Sequence, residues 1–255
     1  MRRMFAALGR NVVDLVRPGR RSPAELAKLV EFEGLEHLQE AVARGRGVVA
    51  LSAHLGNWEI LGAALAARGY EVHAVTRRVF DSRSNRLLEA WRRRHGIITL
   101  SVDEGFSCVF GALRSGKLVG VLADQDTRGP AVFVPFFGEC ARTTAIPFLL
   151  AERTGAALVP MWIRMSEDGR HRVRVLPALT PAAGGDVATR IVDAATRWNV
   201  ILESAILESP EQWVWFHRRW KSKAPAGLPR RPHPRRSRTA RPSRVRPSKG
   251  VAIAR

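Results

Sequence analysis

The sequence predicts a single α/β domain with a mostly parallel central sheet covered by helices, followed by a disordered basic C-terminal tail. Three observations predict it. Between residues 46 and 220, short apolar runs of strand length alternate with stretches of helical periodicity, the pattern of parallel strands joined by crossover helices. Hydrophobic residues make up 45% of the 255 and charged residues 25%, the balance of a chain that buries a core. From Lys221 onward the composition changes: twelve Lys and Arg, no Asp or Glu, and six of the chain's fifteen prolines. Such a segment cannot bury enough apolar surface to offset its ordering entropy. The expected organisation is an N-terminal helical segment over residues 1–45, a folded domain over 46–221 and the tail over 222–255.

The elements follow in order. Met4, Phe5, Leu8, Val12 and Leu15 recur at helical spacing among Arg2, Arg3, Arg10 and Arg17. A short basic amphipathic helix of this kind either lies on an anionic membrane surface or packs on the body, and the spacing supports both equally. Pro18-Gly19 ends it, and Ser22 to Arg44 reads as one or two further helices entered through Ser22-Pro23-Ala24-Glu25. Val48 to Leu51 is a buried strand. A helix runs from Trp58 towards Gly69, and Val72 to Val75 is a strand. Ser84 to Arg94 is a helix stopped by Gly96, and Ile97 to Val102 a strand. Phe106 to Arg114 is a helix stopped by Gly116, and Leu118 to Ala123 a strand. Thr144 to Arg153 is helical. Ala157 to Met165 and His171 to Leu176 read as a strand pair across Asp168-Gly169, and Val187 to Leu207 as a long helix.

Composition narrows the function. Lys and Arg number 42 against 23 Asp and Glu, a net charge of +19, which favours nucleic acid, anionic lipid headgroups or an acidic carrier protein as partners. The excess is concentrated in the tail and no recognised nucleic-acid motif is present, so no specific nucleic-acid partner is expected. Two cysteines, Cys108 and Cys140, cannot build a disulfide framework or a four-thiolate zinc site. No apolar run is long enough for a membrane-spanning helix, and no signal peptide is visible.

The chemistry concentrates in Leu51-Ser52-Ala53-His54-Leu55-Gly56-Asn57-Trp58-Glu59. A strand ends, a histidine emerges at its carboxyl edge, and a Gly-Asn turn leads into a helix. In open α/β sheets this edge is where ligands bind. Across such a junction Glu59 can fold back onto the His54 imidazole, fix its tautomer and stabilise the imidazolium, an arrangement suited to removing a proton from a substrate hydroxyl. The spacing is not specific by itself: with seven histidines and 23 acidic residues, chance supplies about one such pair.

The surrounding motifs are specific. His54-Leu55-Gly56-Asn57-Trp58-Glu59 resembles the His-x4-Asp/Glu motif of the late acyltransferases of lipid A biosynthesis, of the lauroyl and myristoyl type. Val75-Thr76-Arg77 resembles the family's strand ending in Arg. Ala123-Asp124-Gln125-Asp126, Gly129 and Val132 to Gly138 resemble its central block, which Ala141, Thr143, Thr144 and Leu150 to Ala156 continue. Pro210-Glu211-Gln212-Trp213-Val214-Trp215-Phe216-His217-Arg218-Arg219-Trp220-Lys221 resembles its C-terminal signature. The resemblance covers residues 5 to 221.

It implies a glycerolipid-acyltransferase-like fold with residues 46–221 as the catalytic domain. The implied reaction is acyl transfer from acyl carrier protein, or acyl-CoA, to a hydroxyl of a lipid A precursor or related glycolipid. His54 is then the general base and Glu59 its orienter. Arg77 is the candidate oxyanion donor, and Asn57, Asp124 and Gln125 complete the candidate substrate-contacting set. No metal, cofactor or acyl-enzyme is required. Asp124-Gln125-Asp126 reads as a cluster that shapes the site in preference to a metal site. Phe133, Phe136 and Phe137 line an acyl groove or pack in the core. Arg92-Arg93-Arg94-His95 is a solvated basic face or a docking patch for the carrier, and His73, His95, His171 and His217 receive no role. Members of the family commonly begin with a membrane-spanning helix, whereas this sequence begins with a short basic amphipathic segment. The expected location is the cytoplasmic face of the bacterial inner membrane, peripheral or anchored by a missing N-terminal helix. Two rivals stand beside this reading: the same chemistry on another glycolipid or aminolipid, and an inactive lipid-binding relative.

Overall fold

A computed structural model of the chain describes residues 2–16, 25, 28–77, 81–103, 105–180 and 184–225. Nine strands and seven α-helices are defined among them. They are α1 Arg2–Val16, β1 Val30–Glu33, α2 Leu35–Ala43, β2 Val48–Ser52, α3 Trp58–Ala66, β3 Val72–Thr76, α4 Ser82–Arg94, β4 Ile97–Ser101, α5 Ser107–Arg114, β5 Leu118–Leu122, β6 Ala131–Phe136, β7 Glu139–Thr144, α6 Ile146–Thr154, β8 Ala157–Met165, β9 His171–Val175 and α7 Val187–Glu208. Seven strands form one sheet in the order β1-β9-β8-β2-β5-β3-β4, and β6 and β7 form a separate hairpin. Every neighbouring pair of the large sheet is parallel except β8 and β9. The protein is thus a single mixed α/β domain on a mostly parallel sheet.

The centre of the sheet explains the apolar run at 48–51. β2 is buried at all five positions, because parallel strands covered on both faces have no solvent side. Its side chains alternate between two cores. Val49 and Leu51 join Val109, Leu113, Phe148, Ile191 and Trp198 beneath α5, α6 and α7. Val48 and Ala50 join Leu38, Ala41, Ile60, Leu61 and Leu65 beneath α2 and α3. The strand period of two feeds one core with each set of alternate residues. The helices start where side chains cap them: Asn57 for α3, Asp81 for α4 and Asp186 for α7 each accept a backbone N–H of the first turn.

Two segments differ from the sequence expectation. Residues Val30–Glu33, read as helical, form an edge strand paired in parallel with β9. Val30 turns inward and Arg68 lies 4.0 Å over the Phe32 ring. Glu31 and Glu33 pair with Arg170, Arg172 and Arg174 across the edge. The open edge of β9 and these charges override a weak local helical preference. Residues 131–144, read only as motif, form the β6–β7 hairpin, so α6 starts at Ile146 and Thr144 belongs to β7. Its two-residue turn has φ of 50° at Phe137 and 83° at Gly138, the pair of positive values a tight hairpin of matching twist demands. α7 holds the hairpin from outside: Asn199 Nδ2 donates to the Pro135 carbonyl at 2.9 Å. The turn at Pro18-Gly19, the start at Ser22 to Ala24 and the tail from residue 226 lie outside the described residues.

Trp198 is the largest fully buried side chain of α7, and its Nε1–H donates to the Ala123 carbonyl at 3.3 Å. Trp198→Ala is expected to cost about 3–5 kcal/mol of unfolding free energy, measured by urea denaturation.

Candidate active site

The site is a product of register. β2 and β5 are parallel neighbours, with Ser52 opposite Leu122, and the Ala123 N–H donates to the Ser52 carbonyl at 2.9 Å. Continuing that register by two residues sets His54 beside Asp124 at the carboxyl edge of the sheet. His54 Nδ1 lies 2.8 Å from Asp124 Oδ1, and the His54 backbone N–H donates to Asp124 Oδ2 at 3.0 Å. Trp213 Nε1–H donates to the same Oδ2 at 2.8 Å. Asp124 is buried, at 1% exposure, and these three donors replace its water.

The electrostatics follow. Burial pushes the Asp124 carboxyl up, but the charge of His54 and the hydrogen bonds from His54 and Trp213 outweigh it and hold it below the usual carboxylate value. Burial pushes the His54 imidazole down, while the Asp124 charge, its hydrogen bond and the Glu59 charge raise it, with a net rise above 6.5. An ionised Asp124 accepts, so the ring carries its proton on Nδ1 and presents Nε2 as a base. The Trp58 ring stands edge-on to the imidazole, 4.8 Å away.

The carboxylate hydrogen-bonded to the ring is therefore Asp124, and Glu59 is engaged elsewhere. Its two oxygens accept from Arg92 Nε at 2.8 Å and Nη2 at 2.5 Å, and both side chains are largely buried. Glu59 lies in the first turn of α3 and reaches His54 through its charge. Asn57 makes two contacts: its Oδ1 accepts the Ile60 N–H and caps α3, and its Nδ2 donates to the Asn11 carbonyl at 3.1 Å. Arg77 follows β3 at the same edge and is exposed, with β5 between its strand and β2. Gln125 is half-buried beside Asp124. Asp126 accepts from Arg142 at 3.3 Å and from the Ser222 N–H at 3.1 Å.

Several contributors carried no assignment in the sequence. Arg92 belongs to the run expected to be a solvated basic face or a docking patch for the carrier, of which Arg93 and Arg94 are exposed and Arg92 is half-buried. His217 Nε2 accepts the Asp126 N–H at 2.9 Å, which places its proton on Nδ1. Burial, with Lys221 and Arg219 nearby, lowers its pKa against the pull of Asp124. Arg219 is buried, donating to the Arg142 carbonyl and to Thr143 Oγ1 over the Phe136 ring. Burial lowers its pKa to about 10, so it stays charged. Trp213 and Phe136 pack in the core, while Trp215, Phe216 and Trp220 are exposed. A crevice between α3 and the sheet opens beside Glu59 and Arg92 and is lined by Trp58, Gly62, Leu65, Val72, Ile97 and Met161. A larger cavity of about 480 Å³ lies at the opposite edge, where Gly47 and Ala157 lead into β2 and β8. It is remote from His54.

A buried carboxylate, an imidazole and a free ring nitrogen at a sheet edge serve many reactions; the whole chain decides among them. Residues 1–222 match the family model of bacterial lipid A biosynthesis acyltransferases. The chain belongs to that family. It is 31% identical over 213 residues to the lipid A biosynthesis lauroyltransferase of Escherichia coli K12, covering 81% of this chain and 66% of that protein. To the palmitoleoyltransferase of the same organism it is 26% identical over 226 residues, 86% of this chain and 70% of the relative. To a phosphatidylinositol mannoside acyltransferase of Mycobacterium tuberculosis it is 31% identical over 194 residues, 73% of this chain and 58% of the relative. The chain thus spans about two thirds, or less, of the length of most of these family members.

The pairing of His54 with Asp124 predicts a titration. The His54 ring, followed by NMR, is expected to titrate above 6.5. In Asp124→Asn the raising charge is gone while burial persists, so the midpoint is expected to fall below 6.5. An unchanged midpoint contradicts the pairing.

Proposed function

We propose that this chain transfers a fatty acyl group from a thioester to a hydroxyl of a glycolipid, with His54 as general base oriented by Asp124. The observation that carries the reading is the 2.8 Å contact between His54 Nδ1 and a buried carboxylate at the sheet's carboxyl edge. The family to which the chain belongs supports acyl transfer. The acceptor is taken to be a lipid A precursor, as the names of the Escherichia coli relatives suggest. A phosphatidylinositol mannoside acceptor is the second reading, favoured by the 31% identity to the mycobacterial relative.

In this mechanism His54 Nε2 takes the proton of the acceptor hydroxyl as its oxygen attacks the thioester carbonyl. Asp124 stabilises the imidazolium that forms. The C–O bond forms and the carbonyl becomes a tetrahedral oxyanion. Arg77 is the proposed donor to that oxygen. Two strand spacings separate β3 from β2, about 10 Å, which an extended guanidinium spans in large part. Collapse breaks the C–S bond, and the leaving thiolate takes the proton back from Nε2. Glu59 and Arg92 hold the start of α3 and the mouth of the apolar crevice, where we place the acyl chain. The donor is acyl carrier protein or acyl-CoA. The exposed arginines of α1 and α4 suit an acidic carrier.

An amphiphilic acceptor brings the protein to a membrane surface, proposed as the cytoplasmic face of the inner membrane. Among the described residues no helix is long and apolar enough to cross a bilayer. Exposed Phe5, Val12, Trp215 and Phe216, with Arg2, Arg3, Arg10 and Arg218 around them, support peripheral contact.

The test is lipid mass spectrometry of cells that lack their own late acyltransferase and express the chain or its His54→Ala variant. A new acylated glycolipid is expected only with His54 present, and its identity names the acceptor. Equal acylation by both proteins sinks the mechanism. A second expectation concerns the crevice. A Cβ at Gly62 lies 3.0 Å from Ile97 Cδ1, so Gly62→Val fills the crevice and is expected to shift the chain-length profile towards shorter donors.

A further inference from the structure

α1 owes little of its attachment to the apolar cores. Only Met4 and Ala7 are buried among its described side chains, and neither lies in the two apolar clusters. Its ties are polar. Asn11 Nδ2 donates to the Gly56 carbonyl at 2.7 Å, and Asn57 Nδ2 donates back to the Asn11 carbonyl at 3.1 Å. At either end of the helix, the Trp215 N–H meets Met4 Sδ at 3.3 Å, and Asp14 lies 3.5 Å from His171.

The reciprocal pair falls on the most constrained point of the site. Gly56 has φ of +61°, and a Cβ there would lie 2.0 Å from the Ile163 carbonyl oxygen. No side chain is possible, so only hydrogen bonds orient the peptides on either side. The Gly56 N–H donates to the Gln212 carbonyl at 3.0 Å. Gln212 is itself pinned to β8 through both backbone groups of Met165. The following peptide, whose oxygen belongs to Gly56, is held by Asn11. That peptide joins the loop carrying His54 to the capped start of α3, which carries Glu59.

We propose that Asn11 is a positioning residue for His54: its amide fixes the Gly56–Asn57 peptide and thereby the imidazole's place against Asp124. This rests on the acyl-transfer reading of the site. The bond needs a donor facing a carbonyl oxygen. Aspartate has the shape of asparagine and lacks that donor, so it sets two acceptors against each other. α1 is then part of the active-site scaffold and not merely a surface helix.

The test uses the purified chain and three variants, Asn11→Ala, Asn11→Asp and Asp14→Asn. Three quantities are read: thermal midpoint, kcat and KM with an acyl thioester and glycolipid acceptor, and the His54 ring titration by NMR. Asn11→Ala is expected to lower kcat about tenfold, the upper end of the scale for losing one neutral hydrogen bond, with KM changed less than about twofold. Asn11→Asp is expected to lose at least as much. In both, the His54 midpoint is expected to move from its raised value back towards 6.5, as its hold on Asp124 loosens and water enters. Asp14→Asn, which weakens a polar tie of α1 away from the Gly56 turn, is expected to leave kcat and the titration as in the parent. The proposal is overturned by Asn11→Asp working at the parental rate. It is equally overturned by losses confined to the thermal midpoint with an unshifted His54 titration, or by Asp14→Asn falling as far as Asn11→Ala. If the parent transfers no acyl group, the titration alone decides, so failure of the functional reading stays separate from failure of the clamp.

Discussion

The site depends on keeping one carboxylate charged inside the protein. Moving an ion of that size out of water costs several kcal/mol even after relaxation, and Asp124 is 1% exposed. Three donors offset the cost: the His54 ring, the His54 backbone and the Trp213 indole. Each comes from a different constraint. The backbone bond requires β2 and β5 to be parallel and in register. The ring bond requires the imidazole to turn back over its own strand end. The indole bond requires the segment after α7 to return beneath the site, where Leu55 bridges Trp213 and the Val214 N–H meets the His54 carbonyl. Loss of any one leaves a buried charge short of a partner.

The surroundings repeat that logic with neutral and cationic groups. Two residues on, the Asp126 carboxylate takes Arg142 and the Ser222 N–H, and its own N–H goes to His217. Arg219, buried and still charged, lies within electrostatic reach of Asp124 and Asp126. The C-terminal segment from Trp213 to Ser222 therefore closes the site from below. α3, with Asn57 at its cap and Glu59 held by Arg92, closes it from the helix side. The apolar crevice between α3 and the sheet begins beside that ion pair, so one helix start borders both the base and the space proposed for the acyl chain.

Much of the fold was legible because burial on both faces leaves a plain signature. The runs at 48–51 and 118–122 are strands, and the long periodic stretch at 187–208 is a helix. What could not be read was which strands are neighbours. Sequential winding suggests β2 beside β3, whereas β5 lies between them. The junction after β2 and the His-x4-Glu motif offer Glu59, five residues from His54, whereas Asp124, seventy residues away, comes beside the ring only through the strand order. A local clue existed: Leu51-Ser52-Ala53-His54 and Val121-Leu122-Ala123-Asp124 each end a buried strand with alanine and then a polar side chain. Recognising it as a pair needs the strand order. β1 carries no local signal because its partner strand lies about 140 residues away, and Arg92 carries none because one arginine of three turns inward. Asn11 had no signal at all, since its role exists only where α1 meets the Gly56 turn.

In the proposed mechanism Asp124, and not Glu59, is the carboxylate that orients the His54 ring. The most direct measurement compares single-turnover acyl transfer by Asp124→Asn and Glu59→Gln under saturating donor. A loss on the order of 10³-fold or more is expected for Asp124→Asn, the scale of a base left without its orienting carboxylate. For Glu59→Gln a much smaller loss is expected, with the His54 titration still above 6.5. Near-parental turnover by Asp124→Asn, with Glu59→Gln inactive, would contradict that mechanism.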